Sequence, residues 1–207
     1  DMELIAEAYF LLKSVLGMSN EKIADTFQKW NEGPLSSYLV EITADIFRKK
    51  DEEVGGELID FILDKAGQKG TGRWTVINAI ELGVAIPTIT AALQGRVISS
   101  LKSERLAAAK VLACEKIKFD GDEEPFVDEV HAALYASKIC SYAQGMALLQ
   151  VASQKYDWKL DLSAVARLWR DGCIIRARFL DDVSRAFEKE PDLVNLLLSN
   201  FFKDEIL

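Results

Sequence analysis

The sequence has 207 residues, of which 49% are hydrophobic and 28% charged, so a disordered or low-complexity chain is excluded. Its net charge of −8 disfavours a protein that coats nucleic acid or an anionic membrane, because both require a basic face. No apolar run approaches the roughly 20 residues of a bilayer span. We therefore predict one large or two small globular domains that bind neither nucleic acid nor membrane.

The cysteines and the two ends of the chain indicate its context. Cys114, Cys140 and Cys173 are widely spaced and odd in number, which is typical of reduced core residues in the cytoplasm, not of disulfides or a zinc site. The first residues do not look like a signal peptide. Helical patterns reach both ends, and we interpret the chain as a piece of a longer protein.

Apolar residues that recur every three or four positions predict amphipathic helices along the whole chain. The first is predicted over residues 2–16 and ends at Gly17. Ser19 or Asn20 caps the second, which runs to Trp30. The third is predicted over 35–50, with Pro34 at its start. A fourth is predicted over 57–66. Three side chains of the third helix should point inward: Leu39, Ile42 and Ile46.

The middle of the chain begins with a glycine-rich loop over 67–73, after which helical spacing resumes over 74–82. The stretch 84–90 is rich in β-branched residues but lacks alternation, so we interpret it as the entry to a buried helix over 87–101. An alanine-rich helix then ends near Leu112, and residues 118–124 form an acidic loop.

The last part is dominated by an almost unbroken helical pattern over 125–156. That helix would be about 45 Å long and would serve as a spine for the others. Shorter helices follow over 163–169, 174–187 and 192–202. Because no βαβ alternation occurs, the prediction is an all-α, multi-helix domain with a long central helix.

Two similar segments indicate an internal duplication. Trp30-Asn31-Glu32-Gly33 and Trp169-Arg170-Asp171-Gly172 each separate two predicted helices. A duplicated helical unit would produce this pattern. The alternative is that a tryptophan packs at a helix end twice by chance.

Few residues suggest catalysis. His131 is the one histidine, so a catalytic triad or a zinc site is disfavoured, and we interpret it as a surface or satisfied helix residue. The pairs Asp181-Asp182 and Glu123-Glu124 are best explained as solvated charges. No spacing singles out a metal site, and we predict no catalytic residue in this chain.

The loop Lys69-Gly70-Thr71-Gly72-Arg73 has the chemistry of an anion site. Its glycines allow a sharp turn, the following helix directs its positive N-terminal end at the loop, and Lys69 and Arg73 add full charges. It is neither a Walker loop nor a dinucleotide fingerprint. The alternative is a glycine helix end followed by a solvated basic turn.

Arg96 favours the anion site, because it lies in an otherwise apolar helix without an acidic neighbour three or four positions earlier. It must reach solvent, a distant acid or an anionic ligand. Arg176 and Arg178 raise the same question, with Asp181 and Asp182 as local partners.

These residues belong to a wider resemblance. The run 67–75, Arg96, and the run 99–105 resemble the decarboxylating 6-phosphogluconate dehydrogenase family. So do the segments 39–43, 133–139, 142–145 and 169–176. The resemblance covers essentially all 207 residues, with departures in 111–124 and at Arg73, where lysine is common in the family.

The resemblance implies an enzyme that oxidatively decarboxylates 6-phosphogluconate to ribulose 5-phosphate and reduces NADP, in the pentose phosphate pathway. It implies that residues 1–207 form the helical substrate-binding and dimerisation domain of a homodimer. The Rossmann domain, which would hold most of the NADP, and the C-terminal tail would lie outside the chain. The family's catalytic lysine and glutamate would lie upstream of Asp1, so the chain alone should be inactive.

Position by position, the resemblance implies that Lys69, Thr71 and Arg96 bind the substrate phosphate. Two alternatives stay open. One is a helical assembly module without a small-molecule site, and the other is a helical domain from another 3-hydroxyacid dehydrogenase, which would generally lack the loop at Lys69.

Overall fold

The computed structural model describes residues 1–112 and 119–207, and it is 69% helical, with no β-strand in those two ranges. The all-α prediction is therefore confirmed. Within these ranges the α-helices are α1 (Met2–Phe10), α2 (Asn20–Asn31), α3 (Tyr38–Arg48), α4 (Thr71–Leu82), α5 (Pro87–Ser100), α6 (Lys102–Val111), α7 (Glu123–Lys155), α8 (Leu162–Leu168), α9 (Phe179–Lys189) and α10 (Asn200–Ile206).

The first two helices follow their sequence signals. α1 continues into a π-helical turn, Leu11–Val15, and the chain reverses at Gly17, whose φ of 68° suits glycine. The Ser19 hydroxyl accepts a hydrogen bond from the Lys22 amide and caps α2. Both predicted boundaries are confirmed.

The third helix begins later than predicted. Ser37, not Pro34, precedes its first turn, and the Ser37 hydroxyl accepts from the Val40 amide at 3.3 Å. The preceding residues form a turn, in which the Ser36 amide donates to the Gly33 carbonyl, and the Asn31 side chain accepts the Ser37 amide. The inward assignment was correct for Leu39, which is buried, but wrong for Ile46, which is 45% exposed.

The helix predicted over 57–66 is wrong. Only a 3₁₀ turn, Leu58–Phe61, forms there. The Leu58 amide donates to the Lys49 carbonyl, and the Ala66 amide donates to the Ser99 hydroxyl. Backbone amides of the segment therefore bond to residues outside it. These long-range hydrogen bonds leave no signal in the local sequence.

The middle helices form where expected, but the prediction that the helix over 87–101 is buried is wrong, because α5 has no buried residue. α4 ends at Gly83, which is left-handed, and α5 begins with Pro87 at its first position. Residues 84–90 form no strand, as predicted. Cys114 and the first residue of the predicted acidic loop lie outside the described residues, and α7 begins at Glu123, inside that predicted loop.

α7 is the predicted spine. Its 33 residues span about 50 Å at 1.5 Å per residue. α1, α4, α5, α8 and α10 all pack against it. The main core lies where α1–α3 and α8–α10 meet α7, and Phe27, Ile139, Phe179 and Phe202 are fully buried there. A second, much smaller core joins α4 and α5 to α7 through Ala79, Ile86 and Leu148.

The C-terminal helices are shorter than predicted. α9 begins at Phe179 instead of residue 174. The predicted helix over 192–202 is divided into a 3₁₀ turn, Leu196–Leu198, and α10. Asn195 and Ser199 side chains accept backbone amides from Leu197 and Phe202, and such local caps interrupt a helix and start it again.

The two tryptophan-containing segments meet in space. α2 packs on α3, and α8 packs on α9, so each segment connects a helix pair. The connections pair antiparallel: the Tyr38 amide donates to the Arg176 carbonyl, and the Arg178 amide donates to the Ser36 carbonyl. This single bridge keeps Ser37 and Ala177 out of the following helices, which explains the late starts of α3 and α9. The arrangement is the one that a duplicated helical unit would give.

Candidate functional site

The predicted anion-binding loop leads directly into α4. Gly70 has a φ of 122°, which an L side chain rarely adopts, and the Trp74 ring lies so close that a Cβ atom at Gly70 would contact it at 3.4 Å. The helix therefore begins at Thr71, three residues earlier than predicted, without a capping side chain at Gly70. No side chain caps the amide groups of the first turn of α4, so these amides can donate hydrogen bonds to an anion.

Arg96 reaches this loop from α5. Its Nε donates to the Gly67 carbonyl at 2.7 Å, so the guanidinium lies beside the residues that precede α4. Within 1–112 and 119–207, no carboxylate lies within 4 Å of Arg96, and its two Nη atoms have no hydrogen-bond partner. The guanidinium thus presents two donors that can form a fork with a phosphate.

Lys69, Thr71 and Arg96 line one groove of about 710 Å³. Four elements form it: the loop before α4, the first turn of α4, one face of α5, and the start of α1. Arg73, which we expected to add charge, does not line the groove. The remaining lining residues are Asp1, Met2, Glu3, Ala6, Ala66, Gln68, Gly72, Ile89, Ala92 and Leu93.

Two residues that sequence reasoning did not assign hold the loop in place. Arg105 on α6 forms an ion pair with Asp64 at 2.9 Å and donates to the Ser99 carbonyl at 3.0 Å. Ser99 accepts the Ala66 amide. Both lie in the run 99–105 that carried the resemblance, but no local pattern indicated their contacts with the loop.

The start of α1 forms the opposite wall. The Glu3 carboxylate lies against α5 at Gly95, where a Cβ atom would approach Glu3 Oε1 to 2.6 Å. Gly95 therefore leaves room for the Glu3 carboxylate against α5, next to Arg96. Sequence reasoning missed this function of glycine, because a single glycine in a helix has many explanations.

His131 packs against an aromatic side chain and is not part of a catalytic or metal-binding group in the described residues. Its ring meets the Trp30 ring edge-on, with centroids 5.6 Å apart. Burial lowers its pKa below 6.5, although Asp128 opposes this shift. Among residues 1–112 and 119–207, no group of three His, Cys, Asp or Glu side chains is arranged to bind a metal ion. Cys140 and Cys173 are free and half-buried.

Four of the other charged candidates are paired or stacked. Glu123 pairs with Lys22, Asp181 with Arg170, and Asp182 with Arg185. Arg176 stacks on the Tyr38 ring at 3.7 Å and donates to the Cys173 carbonyl. The expectation that Asp181 or Asp182 pairs with Arg176 is therefore wrong. The Arg176 carbonyl accepts the Tyr38 amide, and this hydrogen bond holds Arg176 beside α3.

The fold and the groove together define an all-α domain with a charged groove at a helix N-terminus, lined by Lys69 and Arg96 and, on the α1 side, by Asp1 and Glu3. The 6-phosphogluconate dehydrogenase C-terminal domain model matches residues 1–207, and the chain belongs to this family. It is 56% identical over 208 residues to the decarboxylating 6-phosphogluconate dehydrogenase of Synechocystis sp., covering 100% of this chain and 43% of that protein.

Two further relatives agree. The chain is 51% identical over 205 residues to the NADP(+)-dependent, decarboxylating 6-phosphogluconate dehydrogenase of Bacillus subtilis, covering 99% of this chain and 44% of that protein. A solved structure of Plasmodium falciparum 6-phosphogluconate dehydrogenase, described in apo form and with NADP+ and 6-phosphogluconate, matches with a TM-score of 0.96 and 46% identity. That match covers 99% of this chain and 44% of the Plasmodium chain.

The chain thus spans less than half the length of each of these relatives. The resemblance derived from the sequence motifs is confirmed. None of the helices in the described ranges combines the length and the apolar character needed to cross a bilayer.

Proposed function

We propose that this chain is the helical domain of an enzyme that oxidatively decarboxylates 6-phosphogluconate to ribulose 5-phosphate with NADP, and that it anchors the substrate's phosphate. The observation that carries the proposal is the shared groove of Lys69, Thr71 and Arg96 at the N-terminus of α4. These are the three residues that the family resemblance implied for phosphate binding.

The groove supplies three kinds of donor to a doubly charged phosphate. Lys69 provides a mobile point charge, Arg96 provides two Nη donors in a fixed plane, and Thr71 provides a hydroxyl beside the free amides of α4. Because the Arg96 Nε is already bound to the Gly67 carbonyl, the guanidinium is oriented before the ligand arrives. Phosphate binding there would fix the sugar acid while its other end reacts elsewhere.

The residues present do not fit NADP. A dinucleotide site requires a glycine-rich turn between a strand and a helix, and the described ranges contain no strand. We therefore assign NADP binding, and the catalytic lysine and glutamate that the resemblance implied, to parts of the enzyme outside this chain. We expect the isolated chain to show no turnover.

The decisive experiment replaces Arg96 with Ala in the full-length enzyme. Loss of charged hydrogen bonds worth about 1.5–3 kcal/mol should raise KM for 6-phosphogluconate about tenfold to a hundredfold. KM for NADP should stay the same. Arg73→Ala is the matched control, because Arg73 is an arginine in the first turn of α4, close to Thr71 in the chain, but does not line the groove. Unchanged substrate kinetics in Arg96→Ala would favour the assembly module without a small-molecule site.

We also propose that the domain forms a homodimer through the outer surface of α4–α6. No residue of α5 or α6 is buried, and Ala79 is the one buried residue of α4. A large exposed apolar surface of this kind is typical of an interaction site, and a second copy is the commonest partner. We call it the α4–α6 apolar surface, and it includes Trp74, Ile77, Ile80, Val97, Ile98 and Leu106.

The proposed cellular location is the cytoplasm. The free thiols of Cys140 and Cys173 are compatible with a reducing compartment. Fractionation of the source cells, with the enzyme activity followed in each fraction, tests this location.

A further inference from the structure

A buried lysine of the spine helix lies beside the candidate groove. The side chain of Lys138 is only 5% exposed, and Asp1, which is 9% exposed, places its Oδ2 atom 3.8 Å from the Lys138 Nζ. In the described part of the chain, Asp1 supplies the one carboxylate within 4 Å of Lys138. A lysine buried to this degree is rare unless it is paired, because an ammonium ion loses its hydration on burial.

A second group of α7 binds the same carboxylate. Tyr142 lies one helical turn after Lys138, and its hydroxyl donates to Asp1 Oδ2 at 3.4 Å. The Tyr142 ring packs edge-on against Phe179, which is fully buried, with centroids 4.9 Å apart. The Tyr142 hydroxyl therefore belongs to a side chain that is packed in the main core, not to a mobile surface side chain.

Asp1 connects this buried pair with the groove. It immediately precedes α1, its carbonyl accepts the Ile5 amide, and it lines the groove together with Met2 and Glu3. The start of α1 thus contacts α7 through the Asp1 carboxylate, and the Glu3 side chain lies against α5 at Gly95. Lys138 itself does not line the groove, so any effect on a ligand must pass through Asp1.

We propose that Lys138 and Tyr142 are positioning residues, which hold Asp1 so that the start of α1 forms the groove wall opposite Lys69 and Arg96. This inference rests on the proposed function, because it assigns the wall a place in substrate binding. Polar groups behind a binding site commonly fix the groups that line it.

The test compares Lys138→Met with the double variant Asp1→Asn/Lys138→Met in the full-length enzyme. Lys138→Met leaves the buried Asp1 carboxylate without its cationic partner, so both Tm and kcat/KM for 6-phosphogluconate should fall, the latter about tenfold to a hundredfold. The double variant contains no unpaired charge. Its Tm should return toward that of the wild type, while kcat/KM stays reduced because α1 is no longer held.

Two further variants sharpen the result. Tyr142→Phe should raise KM for 6-phosphogluconate and leave KM for NADP unchanged. Lys155→Met, on the exposed C-terminal end of the same helix, should change neither kinetics nor Tm.

The outcomes separate the two proposals. If kcat/KM recovers together with Tm in the double variant, Lys138 has only a structural role and this inference is overturned. If the wild-type protein does not turn over 6-phosphogluconate, or if Arg96→Ala keeps its KM, the proposed function fails and this inference fails with it.

Discussion

Single residues set the shape of the candidate groove through backbone conformation as much as through charge. Gly70 permits the turn that starts α4, Gly95 permits the approach of Glu3, and Arg96 ties α5 to the loop. The sequence indicated Arg96 through its apolar surroundings and Gly70 through its spacing. It did not indicate Gly95, whose importance depends on a side chain 92 positions earlier.

Gly70→Ala should disturb the groove without removing a charge. A Cβ atom at φ 122° would cost about 1–3 kcal/mol of backbone strain, while its 3.4 Å distance to the Trp74 ring is an ordinary van der Waals contact. We expect a lower Tm and a higher KM for 6-phosphogluconate. Gly67→Ala in the same loop is the control, since nothing lies within 4 Å of its Cβ position. Equal effects of the two variants would refute a special role of the Gly70 conformation.

His131 should make stability depend on pH. Burial lowers the pKa of His131 in the folded state below the 6.5 of the unfolded chain, so the unfolded chain binds a proton more readily. Stability is therefore full above pH 6.5 and falls as the pH drops from 6.5 to the folded pKa. In urea titrations at pH 7 and pH 5, His131→Gln should lose less stability than the wild type. An equal loss in both proteins would contradict this assignment.

The boundaries of helices agree with the sequence prediction where local signals set them, and they differ from it where residues far apart in the chain set them. Ser19 caps α2 and Pro87 starts α5, as predicted, because caps and proline act within one turn. α3 and α9 start late because residues 36–38 and 176–178 bind each other's backbone. Residues 57–66 have a helical pattern, but backbone amides of this segment donate to the Lys49 carbonyl and the Ser99 hydroxyl instead of forming helical hydrogen bonds.

The revised start of α3 can be tested at its cap. Ser37→Ala removes the hydroxyl that accepts the Val40 amide and should lower the free energy of unfolding by about 1 kcal/mol. Ser36→Ala is the matched control, because in the described ranges its side chain makes no hydrogen bond. Chemical denaturation of both variants measures the difference. A larger loss in Ser36→Ala would show that the helix begins elsewhere.

At the scale of the whole molecule, the two cores are very unequal. The main core joins both helix pairs to α7, whereas α4–α6 bury little and leave the α4–α6 apolar surface exposed. The groove lies between these parts, since α1 belongs to the main core and the loop and α5 belong to the smaller layer. Dimerisation through the α4–α6 apolar surface would therefore also support one side of the groove.

Ile80→Glu tests the proposed dimer. Ile80 is 74% exposed on the α4–α6 apolar surface, and a buried, unpaired carboxylate at an interface is costly. Sedimentation analysis of the full-length protein should show a monomer. Leu168→Glu, which is equally exposed on α8, should leave the dimer intact. A dimer that survives Ile80→Glu and dissociates with Leu168→Glu would place the interface elsewhere.

The sequence by itself determined the helical class, the spine helix and the family, and through the family resemblance it predicted Lys69, Thr71 and Arg96 as phosphate-binding residues. Periodicity, caps and motifs are local properties, so they can be interpreted without coordinates. Only the tertiary structure decided that these residues share one groove, that α1 forms its wall, and that Asp1 meets Lys138. Such contacts join residues far apart in the chain, and they depend on how the helices pack, which no local pattern records.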